Sequence, residues 1–219
     1  MKTENVVLMQ MARESLKGKW GLAIGTFVVY FLIIGVVQII PIVGPIASLI
    51  ISGPFALGLA IFSLSISRNQ DAKLEQIFEG FNNFGTALGA YLLMILFILL
   101  WSLLLIIPGI IAAISYSMTF YILADDNSIG VMDALEKSKK MMDGYKWKYF
   151  CLSLRFLGWA LLCTLTLVIG FLLLSFNSIY PVGVLCILIS GIGFLWLMPY
   201  MQVSIAKFYD DIKANSIDY

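Results

Sequence analysis

Three stretches of this chain carry no charged residue, and they are long. Forty-eight residues separate Lys19 from Arg68, 45 separate Glu79 from Asp125, and 51 separate Arg155 from Lys207. One helix crosses the hydrocarbon of a bilayer with ~20 apolar residues, so each stretch is too long for one span and about right for two joined by a tight turn. The turns are visible in the sequence. Pro41 and Pro45 flank Ile42-Val43-Gly44, Pro108-Gly109 divides the second stretch, and Asn177 to Pro181 divides the third. Proline has no backbone donor and disfavours a helical residue before it, so such clusters are expected stops.

The expectation is an all-α polytopic membrane bundle of six transmembrane helices, forming a single domain over residues 1–219. The predicted spans are about 21–40, 46–67, 86–107, 110–124, 149–174 and 182–206. A soluble six-helix protein would need polar faces that these segments lack. The 61% hydrophobic content and mean hydropathy of +0.96 agree with the membrane class. Residues 1–19 contain no small-residue cleavage site, so the first span is expected to act as an uncleaved anchor. Cys151, Cys163 and Cys186 fall inside spans at irregular spacing and read as small core residues.

The basic residues give the orientation. Thirteen of the fourteen lie in the N-terminal segment, the second–third and fourth–fifth connections and the C-terminal end, and none lies in the three turns opposite. Loops rich in Lys and Arg stay in the cytoplasm. The expected location is the cell (inner or plasma) membrane, multi-pass, with both termini cytoplasmic. Four lysines crowd residues 139–148, and Trp147 and Tyr149 suit the interface that follows.

The chain also shows a threefold pattern. An amphipathic stretch, a glycine and an aromatic precede each hairpin: GKWGLAIG at 18–25, GFNNFGTALG at 80–89 and GYKWKYFC at 144–151. Trp20, Phe84 and Trp147 recur at 64 and 63 residues, which predicts three hairpin pseudo-repeats, each preceded by a cytoplasmic amphipathic helix. Gly21/Gly25 and Gly85/Gly89 have the spacing that lets membrane helices approach closely. Val131, Leu135, Ser138 and Met142 form the clearest helical stripe. Val6, Met9, Leu16 and Trp20 form a looser one, and Leu74, Ile77, Phe78 and Phe81 contribute a third. These helices are expected to pack as collars on the cytoplasmic end of the bundle.

ALEKSKKMMDGYKW, FLGW, LMPYMQ and FYDDI, in this order, together with FEGFNNF and IPGIIAAISYSM, resemble the bacterial integral membrane proteins grouped as domain of unknown function 975. The resemblance runs along nearly the whole chain. That family is similar in outline to the membrane domain of some glycerophosphodiester phosphodiesterases, which implies work near lipids but no stated activity. Arg155 stands before FLGW, where the family pattern leads one to expect a small polar residue.

The chemistry that is missing narrows the function. The chain has no histidine, which removes H-E-x-x-H metal sites, Ser-His catalysis and histidine proton relays. All 13 acidic residues fall outside the uncharged stretches, so no carboxylate is sunk at mid-membrane as an aspartyl protease or a proton-coupled carrier requires. There is no phosphate-binding glycine loop and no basic surface of the kind that binds nucleic acid. The sequence therefore predicts a non-enzymatic membrane protein without cofactor or metal. Its expected partners are membrane lipids or another amphiphile that it binds or moves. The alternative is a structural or accessory subunit bound to another membrane protein.

The candidate site is Arg155, the one basic residue placed inside an apolar segment. It lies level with the ends of the fourth and sixth spans, which carry Asp125/Asp126 and Asp210/Asp211. Its counter-charge is expected to be an aspartate of either pair or a lipid phosphate, since the guanidinium fork suits all of these. Simple snorkelling to the headgroups is the alternative.

Overall fold

The computed structural model describes residues 3–176 and 180–216, and every regular element among them is a helix. In chain order these are α1 (Asn5–Leu16), α2 (Trp20–Gln38), α3 (Val43–Ser67), α4 (Gln76–Glu79), α5 (Phe84–Leu104), α6 (Ile106–Tyr116), α7 (Thr119–Asp125), α8 (Val131–Met141), α9 (Lys146–Leu173) and α10 (Tyr180–Ser216). Six segments are long and apolar enough to cross a membrane: α2, α3, α5, α6 with α7, α9 and α10. The chain is thus a multi-pass membrane protein by the length and composition of its helices. Residues 177–179 of the third predicted turn lie outside the described residues.

The fourth span differs from expectation in both limit and shape. It begins at Ile106, ahead of the Pro108 expected to end the turn, and the chain reverses at Leu105 with φ −163° and ψ 150°. Pro108 is the third residue of α6 and Pro45 the third of α3. The N–H groups of a first helical turn have no intrahelical acceptor, so proline costs nothing there. The span then breaks between Tyr116 and Thr119. The Met118 N–H donates to Ser138 Oγ at 3.2 Å, and that hydroxyl donates to the Ser115 carbonyl at 2.8 Å. Ser138 is fully buried, so a side chain of α8 satisfies the backbone that the break exposes. The sixth span also exceeds its predicted end at 206. At 37 residues α10 runs about 55 Å, well beyond a hydrocarbon core of about 30 Å.

The core occupies one end of the molecule. Its buried side chains come from α1, the starts of α2 and α5, the second half of α3, α4, α7, α8, the start of α9 and the C-terminal half of α10, and include Leu8, Phe27, Phe62, Ile77, Ala87, Ile122, Ala134, Phe156, Phe208 and Tyr209. The large exposed apolar residues cluster in the outer parts of the three hairpins, from Phe31 to Ile50, from Leu92 to Ile111 and from Leu154 to Trp196. Three apolar hairpins therefore project from one shared core.

Two glycines fix that core. A Cβ on Gly58 would lie 2.0 Å from the Ile77 carbonyl oxygen, and one on Gly80 would lie 1.9 Å from that of Pro54. Only glycine lets α3 and the α4 segment meet backbone to backbone. The glycines expected to mediate close approach do not do so. Gly21, Gly25 and Gly85 face open space, and Gly89 meets only Val131. The contact between α9 and α10 instead falls on Gly170 and Gly183, which no sequence pattern singled out.

The stripe on α1 is also shifted. Leu8, Ala12, Ser15 and Leu16 are buried while Val6 is 52% exposed, so the buried face is rotated from the one expected. On α8 and at its C-cap, Leu135, Ser138 and Met142 of the expected stripe are buried together with Ala134 and Met141, while Val131 at its start is only partly buried.

Candidate functional site

Charge gathers at the core end of the molecule in two groups of opposite character. The first joins the ends of α3, α7 and α10. Arg68, which follows α3, meets Asp125 with two parallel bonds: Nη1 donates to Oδ1 at 2.7 Å and Nη2 to Oδ2 at 3.0 Å. Its Nε and Nη2 also donate to Asp210 Oδ1 at 3.1 and 2.7 Å. Asp125 further accepts from the Tyr209 hydroxyl at 2.9 Å and from Lys213. Asp210 accepts from the Ser67 hydroxyl at 2.9 Å, and Lys207 donates to the Ser67 carbonyl. The bonds from Asp125 push the Arg68 guanidinium above its ordinary value. Nearby, Asp211 accepts from Lys148 at 2.6 Å and from Thr3. Asn5 donates to the Lys148 carbonyl at 2.9 Å, which ties α1 to the start of α9.

The four aspartates of the candidate site are thus placed. Asp125 and Asp210 share Arg68, and Asp211 holds Lys148. Asp126 accepts from the Ser128 hydroxyl at 2.6 Å and its N–H at 3.0 Å, closing the turn after α7. Bidentate, charge-assisted bonds of this kind fix geometry as well as adding energy. Asp125, Asp210 and Asp211 each accept from a cation and at least one hydroxyl, whereas Asp126 accepts from Ser128.

Arg155 lies elsewhere. It is exposed on α9 and lines a groove of about 720 Å³ with Arg13, Glu14 and Lys17 of the α1 segment, Trp20 of α2 and Tyr200 of α10. Trp20 stacks on Trp196 with ring centroids 5.3 Å apart and interplanar angle 7°, which makes a rigid aromatic wall. Gln10 donates to Glu14 at 3.0 Å. Among the described residues no carboxylate oxygen lies within 4.0 Å of Arg13, Lys17 or Arg155. The groove therefore holds three cations against one acid, on a helix whose exposed flank continues as Leu154, Leu157 and Trp159.

A third feature is a cavity of about 470 Å³ inside the helices. Tyr30, Tyr91, Tyr121, Tyr149, Ser117 and Gln202 line it together with apolar side chains, and no charged residue does. The Tyr121 hydroxyl donates to Gln202 Oε1 at 2.9 Å. The Ser115 hydroxyl donates to the Ile111 carbonyl within α6, and Ser117 and Thr119 donate to the Ile114 and Tyr116 carbonyls at the end of that helix, local backbone bonds of the kind expected of hydroxyls in membrane spans.

Sequence reasoning found Arg155 because it interrupts an apolar run. It missed Arg68, Lys148 and Lys213, which had been counted only as loop charges that fix orientation. The signal was available, since Arg68 ends the second span at the level where the fourth and sixth end in aspartates.

Among the described residues no group of three or more His, Cys, Asp or Glu is arranged to hold a metal ion. Searches of curated proteins and of solved structures find no match. Residues 1–115 and 103–216 match a family described as Protein of unknown function (DUF975), and together these segments cover almost the whole chain. A six-segment membrane protein without histidine, built on a charge-paired core, thus belongs to the DUF975 family.

Proposed function

We propose that this protein is a non-catalytic membrane protein that holds the anionic headgroup of a lipid or similar amphiphile in the groove of Arg13, Lys17 and Arg155. One observation carries the reading: these three cations share a groove without a carboxylate in salt-bridge range, whereas the cations of the neighbouring network are fully partnered. Guanidinium groups bind phosphate with paired bonds. Trp20 and Tyr200 suit the depth where headgroups meet acyl chains, and the apolar flank of α9 gives the chains a path.

The positive-inside distribution supports cytoplasmic termini and a cytoplasmic position for this groove. A helix precedes each hairpin (α1, α4 and α8), which favours descent from three related units. The absence of histidine and of mid-span carboxylates favours binding over catalysis.

The test is native mass spectrometry of protein exchanged into nanodiscs containing phosphatidylglycerol or phosphatidylcholine. Selective retention of phosphatidylglycerol that is lost in Arg155→Ala supports the proposal. Equal retention of both lipids, or retention unchanged by the substitution, overturns it.

A further inference from the structure

The α5–α6 hairpin is apolar enough to cross a membrane, yet besides the uncharged α3 it packs against α8, the most densely charged helix among the described residues. Val131, the first residue of α8, sits against Gly89 of α5, where a Cβ would lie 3.5 Å from a Val131 methyl. Eight residues later, Lys139 shares one depression with Trp101 near the end of α5 and with Pro108, Ile111 and Tyr116 of α6. From Gly89 to Trp101 is about 18 Å along α5, and from Val131 to Lys139 about 12 Å along α8, to which the lysine adds its own length. The body of α8 therefore runs beside about the first half of the hairpin, with Ser138 held at Ser115, and its Lys139 side chain extends toward the depression that Trp101 and Pro108 line near the tip.

The start of α9 reaches the tip as well. Lys146 lines the same depression, and with Trp147 and Phe150 it borders another formed by Ile107, Ile110, Ile111 and Ile114. The exposed face of α8 carries Asp133, Glu136, Lys137, Lys139 and Lys140. If the hairpin stood upright across the bilayer, these charges would be drawn through much of the hydrocarbon, where each is costly. The tip is equally unsuited to water on the far side. Leu103 to Ile107 are 68–83% exposed, and no polar side chain occurs from Leu103 to Ile114.

We infer that the α5–α6 hairpin does not cross the bilayer but lies within the cytoplasmic leaflet, under α8. Leu92, Leu96, Leu99, Leu100 and Leu103 recur at helical spacing on the exposed side of α5 and rest on acyl chains. Lys139 and Lys146 stay at the level of the headgroups, where anionic phosphates are their partners. A hairpin confined to one leaflet adds area there and none opposite, so the partner surface is a lipid leaflet with room for a wedge. The sidedness of the chain is unaffected, because α5 and α6 enter and leave on the same face. The inference rests on the cytoplasmic assignment of the lysines in the reading above, but not on lipid retention in the Arg155 groove.

The experiment places a nitroxide on Ile107→Cys in a Cys151→Ala, Cys163→Ala, Cys186→Ala chain reconstituted in phosphatidylglycerol–phosphatidylcholine vesicles. Its depth is read from relaxation by oxygen against a water-soluble nickel chelate. Labels on Lys213→Cys and Ser175→Cys mark the two faces, and Leu103→Cys provides a second tip position. A tip label between the bilayer midplane and the Lys213 face is expected. A tip label beyond the midplane, toward Ser175, overturns the inference. Labels at 213 and 175 on one face would instead overturn the assignment of sides, so the two failures are distinguishable.

Discussion

The two charge groups at the core end are built from the same residue types yet serve opposite ends. Around Asp125, a carboxylate with a side chain only 13% exposed receives Arg68 from the end of α3 and Tyr209 and Lys213 from successive turns of α10. Around Arg155, three cations and one acid line an open groove, and among the described residues none of the three cations is in a salt bridge. The first group spends its charge internally and so fixes α3, α7 and α10 together. The second leaves its three cations, among the described residues, without a carboxylate in salt-bridge range, as the proposed lipid role requires. Number of charges does not separate structural from binding clusters; saturation of their hydrogen-bonding capacity does.

That contrast breaks most readily at Asp125. Asp125→Ala leaves Arg68 with one carboxylate and removes one bond each from Lys213 and Tyr209, and is expected to cost about 3 kcal/mol, at the low end for a broken buried pair because Arg68 and Lys213 reach water. Thermal unfolding in detergent measures it. A midpoint equal to that of the unaltered chain would show that the network contributes nothing.

The Lys148–Asp211 pair tests whether smaller closed pairs behave alike. Lys148→Met should cost about 2 kcal/mol, less than the loss at Asp125 because Asp211 keeps the Thr3 hydroxyl. The same unfolding assay reads the difference, and a cost above that of Asp125→Ala would invert the ranking.

Arg155→Ala sharpens the comparison from the other side. Its stability should stay within about 0.5 kcal/mol of the unaltered chain, as for an exposed unpaired residue. Its affinity for phosphatidylglycerol should fall about fivefold, the worth of one basic residue at a charged surface. A large loss of stability with lipid binding intact would place Arg155 among the structural charges after all.

Asp126 should matter least. Its carboxyl is held below its ordinary value by the Ser128 hydroxyl, so its contribution is present above the usual carboxylate range and lost as pH falls through the lowered value. Asp126→Asn should therefore leave the unfolding midpoint nearly unchanged at neutral pH and narrow any difference further in acid. A drop comparable to that of Lys148→Met would mean that the turn after α7 is part of the network.

Particular residues show what could be read in advance. The limits of α2, α3, α5 and α9 fall within about three residues of the predicted spans, because uncharged length and Pro/Gly clusters are local properties that the bilayer acts on directly. Pro108 misled by four residues at the start of the fourth span, since proline marks the neighbourhood of a turn and tolerates the first turn of the next helix. The break at Ser117–Met118 had no local signal, because what makes it tolerable is Ser138, about 20 residues away. The glycine pairs were misread for a related reason. Spacing shows that two glycines share a helix face, but only the packed neighbour decides whether that face meets anything.

By itself, the sequence determined the membrane class, the helical content and the asymmetric placement of basic charge, since each follows from how single residues partition between water and hydrocarbon. The tertiary structure decided which charges are consumed. Arg68 lies 57 residues from Asp125 and 142 from Asp210, and such pairing depends on how helix ends converge rather than on any spacing along the chain. It likewise decided the surroundings of Arg155, because a cation's partners are set by distance in space, and α9 places it beside Arg13 and Lys17 rather than beside any of the four aspartates.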